Sequence, residues 1–205
     1  MRYIVGLGNP GEEYELTRHN AGRIAVLELV KKEGMGELVF DKKINALVGK
    51  GEIGGDPAFA KASAGKGKVQ IILPETFMNK SGNALKNIIT SAKKAENLIV
   101  VHDDIDLPLG KIKISFGKNS GGHKGVESVI KAVKTINFTR VRIGISSTNA
   151  KGAVKKPSGD KFLDYIVGKF KPAELAEMKK TAKKAAEVLR AIATEGVAKA
   201  MGKFN

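Results

Sequence analysis

The sequence contains no cysteine among its 205 residues and no uninterrupted apolar run long enough to span a bilayer. The first absence excludes disulfide bonds, thiolate metal sites and cysteine nucleophiles, and the second argues against a membrane-spanning segment. The amino terminus enters a strand-like pattern directly, without the charged and apolar regions of a signal peptide. We therefore expect a cytoplasmic protein, and the chain length fits one domain with a sizeable core.

Acidic residues are scarce relative to basic ones. Lys and Arg total 36 against 21 Asp and Glu, which gives a formal net charge of +15 and a pI near 9.9. Residues 111–156 hold eleven basic residues and one acid, Glu127, so this segment supplies ten of those charges. Such an excess favours a polyanionic partner, most often nucleic acid, although a lysine-rich surface that only keeps the protein soluble fits it equally well.

A nucleotide-binding loop is also missing, although residues 6–11 (GLGNPG) spell G-x-G-x-x-G after an apolar run. A dinucleotide fingerprint needs its third glycine to open a helix whose amino terminus faces the pyrophosphate. Here that glycine is followed by EEYE, a poor neighbour for phosphate, and the candidate acids Glu28 and Glu33 lie within or just after a helix pattern. The sequence also lacks G-x-x-x-x-G-K-[ST]. These features disfavour ATP binding and a nucleotide-dependent oxidoreductase.

The apolar pattern alternates between strand and helix periods. Strands are predicted over residues 2–5, 37–41, 44–53, 69–73, 98–101, 111–116 (an edge strand) and 140–146. Helices are predicted over residues 20–32 and 125–134, from Pro172 to near Gly196, and from an N-cap at Ser81 through Ala92. This order predicts a single-domain α/β three-layer sandwich, with a mixed, mostly parallel twisted sheet and helices on both faces. Residues 54–68, rich in Gly, Ala and Lys, are predicted to be a low-complexity loop insertion.

Polar side chains follow three of the predicted strands. Asn9 follows the first strand, Asn79 follows residues 69–73, and Asp103 follows residues 98–101. In a parallel sheet the carboxyl ends of neighbouring strands lie side by side, and ligands bind in the crevice above them. These side chains are therefore expected to converge if the strands are neighbours. Taken singly, each asparagine is better explained as a turn residue that binds its own backbone.

Only three histidines are present, His19, His102 and His123, and their spacing matches no metal site. A G-x-S-x-G elbow is absent too. The remaining chemistry is attack by water with a general base, which suits histidine because its ordinary pKa is about 6.5, and which needs an orienting carboxylate. His19 is a candidate base, although its spacing by itself fits a helix-capping or surface residue better. His102 is predicted to pack in the core, and His123 to position the backbone of a glycine-rich turn.

Four segments, NPGEEYELTRHNAG, PETFMNKSG, VHDDIDLPLGKIKI and SGGHKGVESVIK, in this order, resemble the bacterial-type peptidyl-tRNA hydrolase family. The resemblance covers residues 1 to about 145 and resumes weakly over residues 164–170. It implies a monomeric enzyme, without metal or cofactor, that hydrolyses the ester between a peptide and the 3′-terminal ribose of tRNA. Such an enzyme binds the acceptor stem and CCA end of peptidyl-tRNA.

The resemblance also implies roles for individual residues. His19 corresponds to the general base, Asp103 to the carboxylate that keeps it ready to accept a proton, and Asn9 to the residue that separates N-blocked from free aminoacyl groups. Substrate-binding positions of the family correspond to Tyr14, Phe77 and Asn79. A basic residue that clamps tRNA phosphate corresponds to Arg142.

Two positions depart from the family pattern. Lys124 stands where an asparagine that contacts tRNA is usual, and a cation is unfavourable at the start of a helix. We hypothesise that it contacts a phosphate or the terminal ribose. Ser115 stands where a basic residue is often found, and Lys111 and Lys113 are nearby substitutes for phosphate contact. The alternative to an enzyme is a non-catalytic RNA-binding module on the same fold. The presence of His19, Asp103, Asn9 and Asn79 disfavours it.

Overall fold

The computed structural model describes residues 1–54, 66–157 and 159–205. Within these ranges one seven-stranded sheet has the order β2-β3-β4-β1-β5-β7-β6. The strands are β1 (Arg2–Gly6), β2 (Val39–Asp41), β3 (Ala46–Ile53), β4 (Gly67–Pro74), β5 (Leu98–Pro108), β6 (Ile112–Phe116) and β7 (Thr139–Ser146). The four central strands β4, β1, β5 and β7 run parallel, whereas β2, β3 and β6 pair antiparallel with their neighbours. The predicted mixed sheet is confirmed, and β6 forms an edge.

Helices cover both faces of this sheet, as predicted. They are α1 (Ala21–Lys32), α2 (Ala92–Ala95), α3 (Lys124–Val133), α4 (Lys161–Val167), α5 (Pro172–Glu195) and α6 (Val197–Phe204), with 3₁₀ segments at Glu12–Tyr14, Arg18–Asn20 and Met78–Leu85. One apolar core joins α1 and α5 to residues such as Ile71 and Val141 of the sheet. The other joins α3 and the segment Met78–Leu85 to residues such as Val100.

Strand β5 extends beyond its neighbour β1, and this offset creates the crevice. β1 ends at Gly6 opposite Val101, whereas β5 continues to Pro108 alongside β7. The first turn of α1 approaches β5 so closely that a Cβ added to Gly22 would lie 2.2 Å from the carbonyl oxygen of Val101. This contact requires glycine, and it brings the 3₁₀ turn before α1, which carries His19, against the protruding part of β5.

The predicted helix with Ser81 as its N-cap is wrong. Ser81 lies buried inside the 3₁₀ segment, where its Oγ donates to the carbonyl of Met78 at 2.8 Å. The only α-helix in that region is the short α2, which begins after Ser91. A Cβ at Gly82 would lie 2.1 Å from the carbonyl oxygen of Ser128, so this segment packs tightly on α3. Glycine and asparagine at residues 82–83 are also weak helix formers.

The carboxyl-terminal part of the chain contains more helix than predicted. Gly196, with φ of 95°, ends α5 as expected, but the short α6 follows, and α4 was not predicted. Gly67 and Lys68 of the predicted loop insertion belong to β4, and residues 55–65 of that insertion lie outside the described residues. No helix in the described ranges is both long and apolar enough to cross a membrane.

Candidate active site

A cleft of about 950 Å³ runs from the carboxyl ends of β1, β4 and β5 across β7 and β6. Asn9, Asn79 and Asp103 all line it. They converge because β4, β1 and β5 are adjacent in the sheet, as the pattern of polar residues after the strands predicts. Apolar residues of α4, among them Phe162 and Val167, form one wall.

His19 and Asp103 form a buried pair in the cleft lining. Nδ1 of His19 lies 3.0 Å from both carboxylate oxygens of Asp103, and only 10% and 4% of the two side chains are exposed. An ionised carboxylate only accepts hydrogen bonds, so Nδ1 carries the proton and Nε2 keeps a lone pair. Within the described ranges no group hydrogen-bonds to Nε2. This is the arrangement that a general base requires.

The charges of this pair stabilise each other. Burial opposes the charged form of His19, but the negative charge and hydrogen bond of Asp103 outweigh it, and the pKa of His19 is raised. Burial by itself raises the pKa of Asp103, yet His19 and His123 together overcome this effect and hold that pKa far below its ordinary value. Asp103 therefore remains ionised at physiological pH and can stabilise positive charge on His19.

His123 also contacts the carboxylate of Asp103. Its Nε2 lies 2.8 Å from Oδ1 of Asp103, while its Nδ1 accepts from the backbone N–H groups of Gly125 and Val126 at 3.1 and 3.3 Å. Because Nδ1 accepts, the ring proton is on Nε2, and neither nitrogen is free. The predicted backbone-positioning role of His123 agrees with its capping of α3. Its contact with Asp103 was missed, since no sequence signal links two residues that meet only through the fold.

Three potential metal ligands meet at this point, although the spacing of the histidines along the chain gave no sign of it. Ligand atoms of His19, Asp103 and His123 lie within 4.8 Å of one another. To bind a metal, Nε2 of His123 would need a lone pair, and the ring proton would move to Nδ1, where it would face the two backbone donors of α3. The donor set therefore fits a chain of hydrogen bonds better than a metal centre.

His102 packs beside His123, as predicted. The two rings meet edge to face with centroids 4.7 Å apart, and Nδ1 of His102 donates to the carbonyl of Asp103 at 2.6 Å. Burial, and then the neighbouring His123 and Arg140, holds the pKa of His102 well below its ordinary value. Its Nε2 is buried without a hydrogen-bond partner among the described residues. Of the three histidines, His19 thus combines a free nitrogen with a carboxylate partner.

Asn9 is held in one orientation by its neighbours. The backbone N–H of Met78 donates to its Oδ1 at 2.8 Å, and the side chain of Asn20 brackets its backbone, accepting from Asn9 N–H at 2.8 Å and donating to Asn9 C=O at 2.9 Å. The amide Nδ2 of Asn9 has no partner in the described part of the chain, and Asn9 lines the cleft. The side chain therefore offers a hydrogen-bond donor to a ligand. The motif TRHN contains Asn20, whose supporting role sequence reasoning missed.

Of the other predicted substrate-binding residues, Phe77 and Asn79 line the cleft, whereas Tyr14 lies beside Phe77. Phe77 is 59% exposed and lines the cleft, and its ring meets that of Tyr14 edge to face at 6.4 Å. Tyr14 itself is not in the cleft lining, so its contact with the cleft is through Phe77. Asn79 is exposed in the lining, and its side chain makes no hydrogen bond to a described residue.

Most of the predicted phosphate-binding residues also lie at the cleft. Arg142, Lys113 and Lys124 line it, whereas Lys111 is exposed outside the lining. Nε of Arg142 donates to Asp104 at 2.5 Å. Lys124 opens α3, and its Nζ lies 3.2 Å from Glu127, so an acidic residue in the first turn offsets the unfavourable cation at the helix start.

Arg140 is a further cleft residue that sequence reasoning did not select. It is 5% exposed and lies two residues before Arg142 on β7, so the two side chains share one face of the sheet. Burial, and then the charge of Arg142, lowers the pKa of Arg140. The alternation in RVRIGIS is the signal that could have identified it.

Comparisons with known proteins agree with this fold. The family model described as peptidyl-tRNA hydrolase matches residues 3–205. The peptidyl-tRNA hydrolase of Carboxydothermus hydrogenoformans is 42% identical over all of this chain and 98% of its own length, and that of a Thermoanaerobacter species is 41% identical over both full lengths. The crystal structure of peptidyl-tRNA hydrolase from Acinetobacter baumannii superposes with a TM-score of 0.83 at 30% identity, covering all of this chain and 94% of the other. The chain therefore belongs to the peptidyl-tRNA hydrolase family.

Proposed function

We propose that this cleft hydrolyses the ester between the peptide, or N-blocked aminoacyl group, and the 3′-terminal ribose of peptidyl-tRNA, which recycles the tRNA. The observation that carries the proposal is the bonding of His19. Its Nδ1 is bound to Asp103, whereas its Nε2 is a free acceptor in the cleft lining. Family membership indicates the substrate class, and this pair offers the chemistry that an ester requires.

In the proposed reaction His19 acts as a general base. Its Nε2 removes a proton from a water molecule as the water oxygen attacks the ester carbonyl carbon, and Asp103 stabilises the resulting imidazolium. When the tetrahedral intermediate collapses, the bond to the ribose oxygen breaks and Nε2 returns the proton to that oxygen. The products are tRNA with a free hydroxyl and a peptide with a new carboxyl group. A base of this kind contributes about 10²–10⁴ in rate.

Asn9 distinguishes a peptidyl group from a free aminoacyl group in this proposal. Because the N–H of Met78 occupies its Oδ1, the side chain presents Nδ2 as a donor. The amide carbonyl that blocks the α-nitrogen can accept from this donor, and the exposed amide of Asn79 offers a second partner. A free α-ammonium group can only donate, so it leaves Nδ2 unpaired. An unpaired polar group costs about 1–3 kcal/mol, which is the basis of strong discrimination.

The basic residues hold tRNA through its phosphates and do not read its sequence. Asp104 orients the guanidinium of Arg142 through Nε, and the two terminal nitrogens make no hydrogen bond to a described residue, so they remain available for phosphate. Lys113 and Lys124 stand beside it in the lining, and Lys111 extends the basic surface outward. The acceptor stem and CCA end are the parts of tRNA that this surface would contact.

We expect one copy of the chain to act alone in the cytoplasm, without a metal or cofactor. Every group used in the proposed reaction comes from a single chain. Water activated by a histidine and carboxylate pair needs no Lewis acid for attack on an ester.

A non-catalytic RNA-binding module is the second candidate, because a basic cleft binds RNA whether or not it cleaves it. The experiment incubates the protein with N-blocked aminoacyl-tRNA and measures released tRNA, with tRNA affinity determined separately. His19→Ala should lower kcat by about 10²–10⁴ and leave the salt dependence of tRNA binding unchanged. Equal rates in the two proteins would remove His19 from the mechanism. Salt-sensitive binding without hydrolysis by the wild-type protein would establish the module instead.

A further inference from the structure

His123 makes two contacts that the proposed reaction does not use. Its Nδ1 accepts from two backbone N–H groups in the first turn of α3, and its Nε2 lies 2.8 Å from Oδ1 of Asp103, the partner of His19. The first contact determines the second, because the accepting nitrogen carries no proton and the ring proton is left on Nε2. His123 therefore connects the positive end of a ten-residue helix to the carboxylate beside His19.

We propose that His123 is a positioning residue of the His19–Asp103 pair: it holds the carboxylate in place and shares its charge, and so determines how strongly His19 binds a proton. This inference rests on the proposed general-base role of His19. His123 is not itself the base, because both of its nitrogens are already hydrogen-bonded.

The direction in which His123 changes the pKa of His19 follows from how the two histidines share the oxygens of Asp103. Oδ1 of Asp103 receives His123 at 2.8 Å and His19 at 3.0 Å, whereas Oδ2 receives His19 at 3.0 Å. In the described structure these two imidazoles are the side-chain donors to a carboxylate that is 4% exposed. Each donor disperses part of the negative charge. Removing His123 should therefore strengthen the attraction between Asp103 and a protonated His19.

Other charged groups lie on the elements packed around His123 and are retained in the experiment. They are His102 and Asp104 on β5, Arg140 and Arg142 on β7, Arg18 beside His19, and Lys124 and Glu127 in α3. Several are engaged with one another: Asp104 with Arg142, Lys124 with Glu127, and Arg18 with Glu174 of α5. A shift that follows replacement of His123 alone thus comes from the loss of its own contacts, with Asp103 and with the first turn of α3.

The substitutions separate this contact from helix capping. His123→Asn and His123→Ser keep residues that cap helices well, but their side chains are too short to reach Asp103. His123→Ala loses both the cap and the contact. Ser91→Ala is the matched control, because it removes the cap of α2, where Oγ accepts from Lys94 N–H at 3.3 Å, and Ser91 does not line the cleft.

Proton NMR can follow the titration of His19 in substrate-free protein, because the chain has only three histidines to assign. His123→Asn and His123→Ser should raise the midpoint for His19 by roughly 0.5–1 pH unit, the shift equivalent to one ordinary hydrogen bond. The acid limb of kcat/KM should move up equally, because a base is lost as pH falls through its pKa. Ser91→Ala should lower Tm and leave the midpoint in place.

The outcomes distinguish this inference from the proposed function. A His19 midpoint in both His123→Asn and His123→Ser that is equal to or below that of the wild type overturns the role of His123, whatever the activity. Absence of ester hydrolysis by the wild-type protein overturns the proposed function, and the NMR midpoint still tests the contact between His123 and Asp103. A shift found in His123→Ala alone would assign the effect to lost capping and would also overturn the inference.

Discussion

Asp103→Asn is expected to remove nearly all hydrolytic activity by changing the tautomer of His19. The variant keeps the shape of the side chain, but one oxygen becomes an NH₂ donor. Nε2–H of His123 requires an oxygen at the Oδ1 position, because Gly125 and Val126 hold its other nitrogen. The new NH₂ therefore replaces Oδ2, 3.0 Å from Nδ1 of His19. The NH₂ repels the proton on that nitrogen, which the retained oxygen at 3.0 Å shares with His123, so the tautomer with the proton on Nε2 and no lone pair in the cleft is favoured.

The expected loss in kcat of Asp103→Asn follows from the loss of the general base. Loss of a general base lowers a rate about 10²–10⁴-fold, and the same exchange in the histidine and aspartate pair of a serine protease lowers kcat about 10⁴-fold through the wrong tautomer. Because His123 leaves the amide no alternative orientation, we expect the upper half of this range, about 10³–10⁴-fold. This equals about 4–5.5 kcal/mol of transition-state stabilisation.

The assay measures kcat for release of tRNA from N-blocked aminoacyl-tRNA, with tRNA affinity measured in parallel. Asp41→Asn is the matched control, because it makes the same exchange on β2, outside the cleft lining, where the side-chain oxygen accepts from Lys43 N–H. It should retain kcat within about twofold, as surface charges contribute little. If Asp103→Asn kept more than a tenth of wild-type kcat, the reasoning from the tautomer of His19 would be refuted.

Three further predictions concern specificity, tRNA binding and metal. Asn9→Asp keeps the acceptor for Met78 N–H but loses the donor, so the ratio of kcat/KM for N-blocked over free aminoacyl-tRNA should fall at least about tenfold; an unchanged ratio would contradict the assigned donor. Lys124→Asn should reduce the slope of log tRNA affinity against log salt concentration by about 0.7–0.9, whereas Lys31→Asn on α1 should leave it unchanged. Equal slopes for Lys124→Asn and the wild type would reject a phosphate contact. Treatment with a chelator should leave kcat unchanged, because the nitrogens of His123 are engaged in hydrogen bonds; a loss that zinc restores would place a metal in the cleft.

The layered fold was predictable because its signals are local. The apolar run at residues 98–101 indicated a strand covered on both faces, and Leu98 to Val101 are fully buried. The helix of residues 20–32 was correct to within a residue. The segment after Met78 was misassigned, because its tight packing on α3 depends on residues more than forty positions away.

Amino-acid sequence by itself determined the alternation of strands and helices, the excess of basic charge, and the residues that resemble the catalytic set of the family. These properties follow from composition and from patterns a few residues long. Only the tertiary structure decided which nitrogen of His19 is free, that His123 shares Asp103, and that Met78 orients Asn9. Hydrogen bonds between groups 20 to 84 residues apart depend on the offset of β5 past β1 and on the close approach of Gly22, and no local pattern of residues encodes either.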